Sequence, residues 1–200
     1  MKGSLIRTGA WTLGMPLLMA IALPLVALLM ASSPSELWTA LAHPRLAEAT
    51  ALSARTSALA LFIIVIFGTP LAWGIARSRW RGVAVLETLV ALPVVLPPAV
   101  VGIALLHAFG RRGLLGGVIG DALAFSPAAV VVAQVVVAAP FYLQSAIGAF
   151  REVDDDLLLV ARSLGTSASG AIWRVALPTA LPALIGGATL SWARALGEFG

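Results

Sequence analysis

Residues 151–178 read REVDDDLLLVARSLGTSASGAIWRVALP. The stretch is too polar to cross a membrane and too patterned to be a random loop. Asp154, Asp155 and Asp156 stand where a helix N-terminus favours negative charge. Leu157, Val160, Ala161 and Leu164 then recur at helical spacing and form one apolar stripe. Gly165 is a natural stop at the C-terminal end. Thr166, Ser167 and Ser169 can each cap a second short helix running through Trp173, and Pro178 then begins the next apolar run. The sequence thus predicts two short helices lying at a membrane face.

The composition around that stretch requires a membrane. Of 200 residues, 60% are hydrophobic and 11% charged, with a mean hydropathy of +1.00. A soluble domain carries about 25% charged residues, so this chain cannot cover a globular surface. Without cysteine, disulfides, iron–sulfur clusters and thiolate zinc sites are excluded. Two histidines, His43 and His107, do not make a histidine-rich metal site. Lys2 is the only lysine and follows no glycine-rich turn, so the chain has no phosphate-binding P-loop; ATP, if it is used, is bound by another subunit. The net charge of +4 forms no basic patch, and no nucleic-acid partner, cofactor or metal is expected.

Five apolar segments follow from hydropathy, each near the length of about 20 residues that a span needs. The first is 11–31; its length exceeds the apolar core of a signal peptide, about 7–15 residues, so it reads as a retained helix, although Ala31-Ser32-Ser33 leaves room for a cleavage site. Residues 32–55 are more polar and read as an external loop with amphipathic pieces that Ser35 or Pro44 opens. The second segment is 57–76, the third 83–109, the fourth 125–150, and the fifth 176–200. Arg77, Arg79 and Arg81 directly after the second mark a cytoplasmic loop. With the N-terminus inside, the inner flanks hold Lys2, Arg7, Arg77, Arg79, Arg81, Arg151, Arg162 and Arg174, against Arg45, Arg55, Arg111 and Arg112 outside. The bias supports an inside N-terminus. The fold expected is an all-helical, polytopic bundle over 1–200, with a sixth span following a C-terminus cut short.

The spacing within 151–178 adds a family. Binding-protein-dependent ABC importers share a cytoplasmic loop of the form Glu-Ala-Ala, three residues, Gly, nine residues, Ile or Val, one residue, Leu-Pro. Here Leu159-Val160-Ala161 stands in the triplet, Arg162-Ser163-Leu164 follows, then Gly165, and Val175, Ala176 and Leu177-Pro178 fall in register. Leu159 replaces the usual glutamate and Val160 an alanine, which removes the glutamate's polar contact but keeps the shape. GTPLAWGIARSRWRG at 68–82, LETLVALPVVLPPAVVGIALLHAFGRRGLLG at 86–116 and SWARALGEFG at 191–200 resemble the molybdate, tungstate and sulfate permeases within that family.

The resemblance implies the permease subunit of an oxyanion importer, molybdate before sulfate or tungstate, in a bacterial plasma membrane. It implies a homodimer with the anion path on its axis, ATPase subunits docked inside, and an external anion-binding protein. The ATPase contact then falls on Leu159, Val160, Ala161, Arg162, Gly165, Thr166, Ser167, Leu177 and Pro178. For the path, Pro93, Pro97 and Pro98 each remove a backbone donor within an apolar segment, and the freed carbonyls require protein or water partners. Gln134, Arg194 and Glu198 are polar groups within spans and further candidates for the path; Arg194 and Glu198 lie four apart and face one side. Glu87 reads as interfacial. Two other classes compete. An ion-coupled secondary transporter needs polar coupling sites at mid-depth, and the spans offer few. An intramembrane enzyme needs clustered His, Asp or Ser, and both histidines lie in or beside outer loops.

Overall fold

The computed structural model describes residues 2–31, 33–117 and 126–197, with side chains from Trp11 onward except at positions 34, 36, 37 and 40. The elements are α1 (Lys2–Ala31), α2 (Pro34–Leu41), α3 (Pro44–Arg77), α4 (Val83–Val95), α5 (Pro98–Phe109), α6 (Pro127–Glu152), α7 (Asp155–Ser163), α8 (Ala168–Ala171), a π turn (Ile172–Ala176) and α9 (Leu177–Leu196). Among the described residues there is no strand. Two units divide the chain: residues 1–50 hold α1, α2 and the start of α3, and 51–200 hold the rest.

In the first unit α1 is apolar on every side, and no residue of its apolar window from Trp11 to Ala31 is buried. Such a helix matches a hydrocarbon surrounding. The expected loop over 32–55 is corrected here. Pro44 opens not a short piece but a helix of 34 residues. The stretch Pro44–Arg55 is rich in Ala, Leu, Glu and Arg, strong helix formers, and no proline interrupts it before Pro70.

The second unit is organised by α3, α6 and α9. Ile64, Ala72 and Ile75 of α3, Ala138, Tyr142 and Phe150 of α6, and Ala180, Leu184 and Ala195 of α9 form one buried cluster. Small residues permit the close approach. A Cβ on Gly68 would lie 3.1 Å from the Tyr142 ring, and one on Gly187 would lie 2.6 Å from Ser145 Cβ. Polar side chains bridge the helices: Ser191 Oγ donates to Ala138 O at 2.9 Å, Trp192 Nε1 to Ser57 Oγ at 3.2 Å, and the Thr69 and Tyr142 hydroxyls pair at 2.6 Å. Without water between spans, small residues and interhelical hydrogen bonds are the means of association.

Among the described residues four helices are long and apolar enough to cross a membrane, and the pair α4–α5 adds a fifth segment bent by 116°. The third segment is therefore two half-helices, about 20 and 18 Å long at 1.5 Å per residue. The pair still joins one end of α6 to the other. Glu87 in α4 bonds Arg151 in the last turn of α6. Leu105, Leu106 and Phe109 of α5 share a cavity of about 670 Å³ with Ser126 and Pro127 at the start of α6. The end of α3, the start of α4, the end of α6 and α7 therefore lie on one side, with Arg79 and Arg81; Arg111 and Arg112 lie at the other end of α6.

Candidate functional site

The polar stretch after α6 folds by local rules. Val153 closes α6 and Asp154 caps α7, its Oδ1 accepting from Asp156 N at 2.9 Å. Asp155 and Asp156 occupy the first turn and Arg162 the last, each favourable against the helix dipole. The helix stops in a two-bond motif: Thr166 N donates to Ala161 O at 3.1 Å and Gly165 N to Arg162 O at 3.0 Å. Gly165 has φ +88°, the left-handed region that a residue with a side chain enters only at a cost. Of the three candidate caps for the next helix, Ser167 acts, accepting from Gly170 N at 3.1 Å.

The second short helix differs from the expectation. α8 passes through the π turn straight into α9, and 168–196 is one helical element. Pro178 sits inside its first turn and does not open a separate span. Leu177 N reaches back five residues to Ile172 O, so the widened turn absorbs the irregularity that Pro178, lacking an N–H, introduces. The lone amphipathic helix of the loop is thus α7. Leu157, Leu159, Val160 and Leu164 are 50, 58, 56 and 80% exposed, and no residue of α7 is buried. Arg162, Gly165, Ser167 and Pro178 are also exposed, with Ala161, Thr166 and Leu177 half-buried.

At the prolines the backbone leaves the helix for two residues. Leu96 has ψ 139° and Pro97 ψ 141°. Each precedes a proline, which disfavours the helical region. Pro97 and Pro98 lack the N–H groups that would meet the carbonyls of Pro93 and Val94, so α4 ends with Leu96 N on Leu92 O at 3.2 Å. Pro98 then starts α5 at its first position, where a missing N–H costs nothing. Pro93 lies within α4.

Gln134 is fully buried in the contact between α6 and α9. Its Nε2 donates to Ala195 O at 3.2 Å, a carbonyl in the last turn of α9. Its Oε1 has no partner among the described residues. Arg194 is half-buried on α9. Glu198 lies outside the described residues, as does its pairing with Arg194.

Sequence reasoning missed the contacts that hold the loop to the bundle. Arg77 and Arg151 were legible only as topology markers. In the structure Arg77 Nη1 pairs with Asp155 Oδ1 and Nη2 donates to Val153 O at 2.7 Å, while Arg151 pairs with Glu87. Arg77 and Asp155 stand 78 positions apart, and no local pattern links them.

The described residues thus form a multi-pass helical bundle with a broken apolar segment and an exposed amphipathic helix on one face. The chain belongs to the family of binding-protein-dependent transport system inner membrane components, matched over residues 64–200. Among its relatives is the molybdenum transport system permease protein of Mycobacterium tuberculosis, 44% identical over 183 residues, 90% of this chain and 69% of the relative. A probable molybdenum ABC transporter permease of Haloferax volcanii is 42% identical over 184 residues, 92% of this chain and 68% of that one. A probable sulfate transport system permease of Chlorokybus atmophyticus is 30% identical over 207 residues, 100% of this chain and 72% of its own length. The protein is thus a membrane permease of the ABC importer type, a family whose members work with ATPase and substrate-binding partners.

Proposed function

We propose that the chain carries molybdate through the plasma membrane as one half of a homodimer set in lipid, with its N-terminus inside. The observation that carries the substrate is the 44% identity over 90% of the chain to a permease named for molybdenum transport, against 30% for the one named for sulfate. The chain performs no covalent chemistry. ATP is hydrolysed on the partner ATPase, because nothing here resembles a P-loop. An external binding protein delivers the anion, and the permease alternates between outward- and inward-facing states that the ATPase biases.

Residues 157–170 dock the ATPase. Their support is the exposed apolar stripe of α7: such a stripe outside the membrane needs a partner to cover it. The anion path runs beside Pro93, Pro97 and Pro98, where the open backbone of 96–97 needs water or protein partners. Arg194, toward the end of α9, and Glu198, four positions on in the sequence, belong to the same proposal. Gln134, engaged by Ala195 O, would line the path only by leaving that bond.

Uptake in a permease-deficient strain, with molybdate, tungstate and sulfate in competition, tests the substrate. Molybdate uptake that a tenfold excess of sulfate, roughly 1.4 kcal/mol of discrimination, leaves intact is the expected result; displacement by sulfate at equal concentration reverses the assignment. Single cysteines replacing Arg79 and Arg112 test the orientation: an impermeant reagent on intact cells labels position 112 and spares 79.

A further inference from the structure

One guanidinium joins three elements on the face where the ATPase is proposed to dock. Arg77 ends α3. Its Nη2 donates at 2.7 Å to Val153 O, the carbonyl that closes α6, and its Nη1 pairs with Asp155 in the first turn of α7. Its carbon lies 4.9 Å from the Trp73 ring centroid, one helical turn back on α3. Trp73 meets Phe150 of α6 edge-on, centroids 5.3 Å apart and planes at 89°. Only Val153 and Asp154 separate α6 from α7, so Arg77 grips both sides of that joint. A topology marker needs only water on its side of the membrane; these contacts exceed that need.

We infer that Arg77 is a positioning residue that sets the angle at which α7 leaves α6 and ties it to α3, so that displacement of α7 moves α3 and α6 together. The inference rests on the reading of α7 as the ATPase-docking helix. The two arms of the grip are unequal. Asp155 is 64% exposed, so solvent screens that pair. Val153 is buried, and the Arg77 side chain is only 22% exposed, so the carbonyl and the ring hold the guanidinium more firmly. A lysine would supply the charge but neither the two divergent N–H arms nor the flat face over Trp73.

The test uses the complete transporter, permease with its ATPase and binding protein, in vesicles with molybdate as the probe. Uptake, ATP hydrolysed per anion moved, and ATPase retained on the permease are measured together. Arg77→Gln and Arg77→Lys should both keep the ATPase bound while uptake falls about tenfold and ATP per anion rises to match, the scale of losing a hydrogen bond to a charged group. Asp155→Asn should lose less, and adding it to Arg77→Gln should lose nothing further, because both act through one contact. A wild-type ratio of ATP to anion in Arg77→Lys, or losses that multiply in the double variant, overturns the inference. If Arg77→Gln fails to reach the membrane, Arg77→Lys and Asp155→Asn carry the same readings. A Gly165→Val variant that loses uptake beside silent Arg77 variants removes the clamp and leaves the docking helix; full uptake in Gly165→Val removes both.

Discussion

The contact between α6 and α9 and the helix α7 are built from similar apolar side chains and use them in opposite ways. Along the contact, Ala138, Ala146, Ala180 and Leu184 are buried, Gly187 lies against Ser145, and Ser191 and Gln134 send hydrogen bonds across. Along α7, Leu157, Leu159 and Val160 are exposed, and among the described residues none covers them. Between spans, lipid competes equally for apolar surface, so close packing and hydrogen bonds decide association. Outside the membrane, water drives an apolar stripe toward any partner that can cover it. Apolarity alone therefore does not say which surface is finished; the medium does. Substitutions in the α6–α9 contact should cost stability and spare coupling, and substitutions in α7 should do the reverse.

The largest effect is expected at Gly187. Leucine there has no room beside Ser145, and overpacking costs about 1–3 kcal/mol. Thermal unfolding of the purified permease in detergent should show the loss, with uptake per folded molecule retained. A wild-type transition would mean that the contact is looser than the 2.6 Å approach indicates.

Next is Gly165→Val. The positive φ costs a side-chain residue about 1–2 kcal/mol; because α8 is continuous with the packed α9, the redirected turn misplaces α7. The strained turn lies outside the α6–α9 contact, so unfolding should shift less than in Gly187→Leu while uptake and ATPase co-purification fall. Wild-type transport with the ATPase fully bound would erase the contrast between the two regions.

A smaller effect is expected from Leu164→Ser, which removes the most exposed apolar side chain at the end of α7. Truncating one docking contact weakens ATPase binding by about 1 kcal/mol, read as a titration of ATPase onto the permease in vesicles. Unchanged affinity would place the docked surface elsewhere on the loop.

The smallest is expected from Gln134→Leu. The variant loses one hydrogen bond to Ala195 O but also removes the buried Oε1 that lacks a partner. Interhelical hydrogen bonds in membranes average about 0.6 kcal/mol, so unfolding should shift slightly. A loss of uptake without a loss of stability would assign Gln134 to the anion path after all.

Much of the loop was legible in advance because its rules are local. The acidic run at the helix start, the apolar spacing and the Gly165 stop each depend on neighbours within a turn or two, and the structure builds each as the pattern indicates, with Asp154 as the cap. The segments α1, α3, α6 and α9 were legible for a similar reason, since hydropathy sums over a contiguous window. Residues 44–55 are polar enough to suggest a loop, yet Ala, Leu, Glu and Arg without a breaker favour the helix that forms. The continuity of α8 into α9 was missed because Pro178 looks like a boundary, and a π turn that accommodates it leaves no mark in the pattern.

By itself, then, the sequence determined that the chain is helical, membrane-embedded, broken near Pro97 and stopped at Gly165. These follow from backbone chemistry and the apolar content of short windows. Only the tertiary structure decided that the break turns the chain by 116°, that Gln134 serves the α6–α9 contact, and that Arg77 grips the joint between α6 and α7. Each of those depends on groups far apart along the chain, whose meeting is set by how the helices pack and not by any neighbour in sequence.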